Sequence, residues 1–245
     1  MYKRQARLFV LAKRIDVRWG DVSVVKAEYA LFETACQYGG YSYYHLLSGV
    51  DMPLKPQDYI HRFFEENAGK EFIGYYQGDI TDEIDRKVHR WHLFPKSFKR
   101  TRGSISIGRK ILRAAWIRAQ LLVGIRRNED VNFKKGTQWV SLSSGFVRYL
   151  LQQQNKVMRI YSHTFCPDEI FVQTVCWHSP FRGRLYDMNE EGRGCLRMIG
   201  WKDNRLEEWQ ESDFEMLMSS DALFARKFSR RYIGVVDKIL HKIGK

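Results

Sequence analysis

Residues 43–56, Tyr-Tyr-His-Leu-Leu-Ser-Gly-Val-Asp-Met-Pro-Leu-Lys-Pro, decide the fold class. The apolar run 43–47 stops at Ser48-Gly49, the lone acid Asp51 follows, and Pro53 and Pro56 bracket Lys55. A buried strand hands over to a rigid loop in this way, and clefts in α/β sheets open at the carboxyl ends of such strands. Read locally, the same residues form a tight turn with a solvated Asp51.

Working outward, residues 22–36 read as a helix capped by Asp21 or Ser23, with Val24, Ala27, Leu31 and Ala35 as its inner stripe. Gly39-Gly40 stops it. Pro56 opens a second helix with Tyr59, Ile60, Phe63 and Phe64 on its buried face, and Gly69 ends it. Residues 71–76 predict a short strand. Residues 136–143 alternate like a strand entering a turn, 145–153 predict a helix, 157–161 a strand and 167–177 a helix. The last 35 residues read as mostly helical. Strands alternating with helices predict an α/β domain with a largely parallel sheet. Residues 1–245 show no internal repeat or linker, so a single domain is expected.

The 245 residues suffice for a sizeable core, and 44% hydrophobic with 28% charged residues excludes a disordered chain. No apolar run approaches the roughly 18 residues of a membrane span. Residues 8–12 are too short an apolar core for a secretory signal. A cytoplasmic protein is expected. The four cysteines, Cys36, Cys166, Cys176 and Cys195, lack metal spacing and read as reduced thiols.

The net charge of +13 favours polyanionic partners: nucleic acid, acidic lipid or nucleotide phosphate. Residues 107–125 place Ile111, Leu112, Ala115, Trp116, Ala119 and Leu122 near helical spacing, with Arg109, Lys110, Arg113 and Arg118 mostly off that stripe. One reading is a helix packed on the core with a solvated basic face. The other is peripheral contact with an anionic membrane. The aromatics (15 Phe, 13 Tyr, 7 Trp) keep a nucleic-acid-binding alternative open, although no motif for it is present.

Two places could carry chemistry. In His163-Thr-Phe-Cys-Pro-Asp-Glu169, Pro167 suits the first turn of a helix. Asp168 and Glu169 then either complement its dipole or supply a general base at a cleft mouth. Arg197 and Lys227 are 30 residues apart, and they clamp a diphosphate if the fold brings them together. Otherwise they are two surface cations among 41. The chain has no Walker loop, no G-x-G-x-x-G, no H-E-x-x-H and no G-x-S-x-G. It also lacks a persuasive carboxylate pair for a nucleotide-bound metal.

Four blocks, in order, resemble the core-2/I-branching β-1,6-N-acetylglucosaminyltransferase and peptide O-xylosyltransferase family (glycosyltransferase family 14), its bacterial members especially. They are residues 14–27 with Trp19-Gly20, residues 43–56, residues 136–143 with Pro167-Asp-Glu-Ile-Phe171, and residues 196–201 with 223–228. The resemblance implies a GT-A-like, Rossmann-like, mostly parallel sheet flanked by helices. It further implies inverting transfer of N-acetylglucosamine or xylose from a UDP-sugar to an acceptor hydroxyl of a glycan or glycoconjugate. Glu169 falls on the family's base, and Arg197 and Lys227 on the side chains that bind the diphosphate in place of a metal; no cofactor is expected. Asp51, Trp139, Asp168 and Trp201 are candidate cleft residues. Family members begin with a strand–helix–strand segment that cradles the uridine. This chain starts after it, which implies an N-terminally incomplete domain and leaves an inactive relative acting as a binding module as a further alternative.

Overall fold

The computed structural model describes residues 8–12, 14–98, 104–202 and 205–244, so the basic residues 1–7 lie outside the described residues. In chain order the helices are α1 (Ser23–Tyr38), α2 (Gln57–Glu66), α3 (Thr81–Lys87), α4 (Ser104–Leu122), α5 (Ser144–Gln152), α6 (Gln154–Tyr161), α7 (Phe171–Trp177), α8 (Glu191–Cys195), α9 (Phe214–Ser219) and α10 (Ile233–Ile243). The strands are β1 (Tyr43–His45), β2 (Asp51–Pro53), β3 (Ser141–Ser143), β4 (Arg197–Ile199), β5 (Trp201–Lys202), β6 (Arg205–Leu206) and β7 (Phe224–Arg226).

The mixed α/β class expected from the sequence is present. The expected mostly parallel sheet is not what the described strands form. β1 pairs antiparallel with β3, β2 antiparallel with β7, and β5 antiparallel with β6, while only β4 and β7 run parallel. Parallel neighbours need a long crossover. Here one is supplied between β4 and β7 by β5, β6 and α9. Apolar periodicity marks where strands lie but carries no information on their direction.

The main core packs α1, α5, α6 and α7 around β1 and β3, with Tyr29, Leu142, Phe146, Tyr161 and Phe171 buried. A second cluster sets α9 and α10 behind the β2–β7–β4 sheet through Leu54, Leu217, Val235 and Ile239. A third, Ile60, Phe64, Phe72, Leu196, Leu223 and Phe224, joins α2 to that sheet. The buried carboxylate of Glu71 accepts from both the amide and the hydroxyl of Ser143, which itself caps α5. Burial pushes the Glu71 carboxyl up to about 7, against those hydrogen bonds.

Several sequence expectations are corrected. α1 buries Val25, Glu28, Tyr29 and Phe32, and Leu31 is exposed, because the two large aromatics set the helix rotation. Residues 157–161 lie in α6, with Val157 and Tyr161 one turn apart on its inner face. Residues 71–76 contribute only single bridges at Glu71 and Phe72. Residues 167–177 are a 3₁₀ turn, Pro167–Glu169, followed by the separate α7. No helix among the described residues is long and apolar enough to cross a membrane.

Candidate active site

A cleft of about 1600 Å³ opens between the Trp19-Gly20 turn, the segment 135–139, the Pro167–Glu169 turn and the β4–β7 sheet. Pockets for single small ligands are roughly 300–1,000 Å³, so this one can hold two substrates together. Glu169, Asp168, Arg197, Trp139 and Trp201, singled out from scattered parts of the chain, all line it. Asp51 and Lys227 do not.

Close backbone packing builds the wall around Glu169. The Glu169 carbonyl accepts from the Gly136 amide at 3.0 Å. A Cβ on Gly136 would run into the Gly74 carbonyl, so only glycine fits there. Gly20, at φ +74°, turns the chain so that its carbonyl accepts from the Cys166 amide at 2.9 Å. The residues just before the two charged blocks, Cys166 (φ 48°) and Leu196 (φ 55°), are both left-handed. Each such non-glycine residue costs about 1 kcal/mol or more, and strain of this kind concentrates at functional sites.

The Glu169 carboxylate is half-exposed to the cleft and is held from behind. Its Oε2 is 3.1 Å from Nζ of Lys87, a side chain only 7% exposed. The same ammonium lies 2.6 Å from Glu83, and Glu83 lies 2.8 Å from Lys135. Burial alone would lower the Lys87 pKa, but Glu169 and Glu83 outweigh it and hold the group above its ordinary value. Glu83 is held below its ordinary value: burial opposes this, and Lys135 and Lys87 overcome it. The result is an alternating row Glu169–Lys87–Glu83–Lys135.

Asp168 is not a helix-capping acid, because Ile170 (φ −130°) separates the Pro167–Glu169 turn from α7. Its Oδ1 is buried without a hydrogen-bond partner among the described residues. Burial, then the charge of Glu169, pushes its carboxyl up to about 6. Glu28 approaches from α1: it accepts from Gln138 at 2.6 Å, leaves Oε2 unpartnered, and is raised well above the ordinary carboxylate range, chiefly by burial.

In the same cleft, Arg197 is buried and anchored by Cys195 O (2.6 Å), Val140 O (3.0 Å) and Ser141 Oγ (2.9 Å). Its Nε has no hydrogen-bond partner among the described residues. Burial draws its pKa down to about 10, so the guanidinium stays charged at neutral pH. Its neighbour in the cleft is Arg226, whose guanidinium lies 4.0 Å over the Trp139 ring. In the parallel pairing Ile199 faces Arg226 and Arg197 faces Phe224, so the two arginines project from the same side of the sheet.

The expected partner, Lys227, lies one residue beyond, half-exposed, with Nζ 3.6 Å from Glu208. Asp51 sits behind the cleft. It closes the Ser48 turn with two 2.8 Å bonds and approaches Arg226 Nε at 3.4 Å. The local reading of residues 48–51 as a turn holds, but the acid is buried rather than solvated.

Arg226, Lys87 and Glu28 were missed in the sequence. Glu28 was findable, since it rides on the helical stripe of Val25 and Phe32. Among the described residues, no group of three or more His, Cys, Asp or Glu is placed to hold a metal ion.

No individual curated protein matches the chain. The sequence pattern of the core-2/I-branching enzymes matches residues 3–223. That match takes in every block that forms the cleft except β7, which begins one residue beyond it, and it shows that this protein belongs to the core-2/I-branching enzyme family of glycosyltransferases.

Proposed function

We propose that the cleft performs inverting, metal-independent transfer of N-acetylglucosamine or xylose from a UDP-sugar to a hydroxyl of a glycan or glycoconjugate acceptor. Glu169 is the general base, and the guanidinium groups of Arg197 and Arg226 receive the diphosphate. The observation that carries this reading is one cleft lined both by a tethered, half-exposed carboxylate and by two arginines from adjacent strands.

Glu169 Oε1 or Oε2 takes the acceptor proton as the acceptor oxygen attacks the anomeric carbon from the face opposite the nucleotide. The new C–O bond forms as the bond from C1 to the β-phosphate oxygen breaks, and UDP leaves with the electron pair. Negative charge grows on that oxygen, where the positive charges of Arg197 and Arg226 act in place of a divalent metal. A fixed donor of this kind is typically worth about 3 kcal/mol, roughly a hundredfold or more in rate. Lys87 keeps the carboxylate in position. Trp19, Trp139 and Trp201 offer ring faces to the C–H faces of sugars.

Lys227 is the counterpart suggested by family resemblance, and in this arrangement Glu208 holds it away from the cleft. It joins the clamp only if that 3.6 Å pair opens. The test is UDP release from UDP-N-acetylglucosamine or UDP-xylose, with EDTA present, by wild type and Glu169→Gln. Loss of at least about a hundredfold in kcat is expected for the variant. Full activity of Glu169→Gln removes it as the base, and a strict requirement for Mn²⁺ removes the arginine clamp.

A further inference from the structure

The helix α4 is mounted inside out. Its least exposed positions are Arg113, Ile117 and Gln120, and the two polar ones satisfy backbone groups beneath the helix. Arg113 donates to the carbonyls of Leu93 (3.1 Å), Phe94 (3.2 Å) and Ser97 (3.3 Å) and stacks 4.6 Å over Phe98. Gln120, buried, makes a reciprocal pair with the backbone of Trp91, at 2.8 and 3.0 Å. Arg109 reaches Ser97 Oγ at 3.4 Å. The opposite side presents Ile107, Ile111 and Leu122 to solvent around Arg118, Ile111 at 64% and Leu122 at 87% exposure, with the exposed Leu112 and Leu121 on its two flanks. Large apolar side chains grouped on one exposed helix face, rather than scattered singly, mark an interaction site.

Charge decides what covers it. Residues 93–128 contain ten Lys or Arg and no Asp or Glu, which is most of the net charge of +13. A second copy of the chain would bring the same charge against itself. A nucleic acid would neutralise the cations but leave the leucines and isoleucines in water. An anionic bilayer answers both, taking the apolar side chains below its headgroups and the cations among them. The exposed Lys110 and Arg118 have aliphatic stems long enough to carry their charges up to that level. We infer that α4 docks flat on an anionic lipid surface through this face, as an interfacial helix and not as a span.

Lys96, Ser97 and Arg109 belong to the same basic stretch and also line the cleft, so docking brings the cleft beside the headgroups. The docking does not depend on the reaction assigned to the cleft.

The full chain is spun with phosphatidylcholine vesicles, with and without phosphatidylserine, at low and high salt. Wild type is expected to bind the anionic vesicles roughly tenfold or more above the neutral ones, and to release with salt. Ile111→Ser combined with Leu122→Ser, both solvent-exposed, is expected to keep the wild-type thermal midpoint and lose binding roughly tenfold. Lys110→Glu with Arg118→Glu tests the charge arm separately and is expected to abolish the preference for phosphatidylserine. Equal binding by wild type and both double variants overturns the proposal. So does a wild-type dimer that the serine variant dissociates with no vesicle binding by either, which would make the face an interface between copies.

Discussion

Replacing Lys87 by methionine keeps the length of the side chain and removes its charge. In the wild type that ammonium sits 2.6 Å from Glu83 and 3.1 Å from Glu169 while being 7% exposed. Removing one partner of a buried ion pair costs about 3–5 kcal/mol, because the other charge is left behind. Here the loss is softened. Glu83 keeps Lys135 at 2.8 Å, and the Glu169 side chain, at 41% exposure, regains water. A destabilisation of about 2–3 kcal/mol follows, and for a chain of this length that is roughly 5–10 °C in the thermal midpoint.

The pH profile separates charge from volume. Lys87 has a raised pKa, so its contribution is fully present below the ordinary lysine value of 10.5 and fades only above it. Glu83 has a lowered pKa, so its contribution is present above the ordinary value of 4.5 and is lost as pH falls from there. The gap between wild type and Lys87→Met is therefore widest from about pH 6 to 9 and narrows below about pH 4. In turnover, kcat falls about ten- to a hundredfold with donor KM unchanged, since the arginines proposed to hold the donor are untouched. Lys87→Arg restores part of it. A gap as wide at pH 4 as at pH 7, or kcat within twofold of wild type, refutes the tether. Glu83→Gln, which leaves Lys87 and Glu169 in place, keeps the test open if Lys87→Met does not fold.

Other outcomes follow from the same geometry. Asp168 carries a raised pKa of about 6, so its stabilising contribution exists below the ordinary value of 3.8 and is lost as pH rises through 6. Asp168→Asn should accordingly raise the thermal midpoint above pH 7, by up to about 3 kcal/mol of stability, and leave it unchanged at pH 4. Arg226→Ala should weaken UDP binding by roughly tenfold or more, measured by calorimetry, and Lys227→Ala by less, because only Arg226 lines the cleft. The reverse order would return the clamp to Lys227. Gly136→Ala should lower the thermal midpoint through overpacking of roughly 1–3 kcal/mol and loosen Glu169, whose carbonyl the Gly136 amide holds.

Much of the cleft lining was legible because it comes from contiguous blocks. Pro167-Asp-Glu169 and the residues after Leu196 could be named from the chain, and the cleft contains both Glu169 and Arg197. What was not legible depends on register and distant pairing. Arg226 and Lys227 are adjacent cations, and only the β4–β7 alignment tells that the first faces the cleft and the second faces Glu208. Lys87 lies in a charged stretch with nothing local to distinguish it, and its partner Glu169 is 82 residues away. α1 was found with nearly correct ends, but its buried face was rotated by about a residue. A stripe of small residues and a leucine yields to Tyr29 and Phe32 when larger areas compete for burial.

α4 shows the limit most clearly. Apolar spacing on a helix identifies a stripe, and the ordinary inference is that the stripe faces the core. That inference assumes that the surface opposite the helix is apolar. Here it is the irregular segment 91–98, which offers the carbonyls of Trp91, Leu93, Phe94 and Ser97 and the amide of Trp91. Backbone groups of that kind must be satisfied when covered, and Arg113 and Gln120 satisfy them. Leucine and isoleucine in their place would leave each of those groups buried without a partner, at about 1–3 kcal/mol apiece. The helix therefore turns these donors inward, beside Ile117, and leaves Ile107, Ile111 and Leu122 outward. The direction of an amphipathic helix is set by the polarity of what it lies on, and for α4 that information sits in a different segment of the chain.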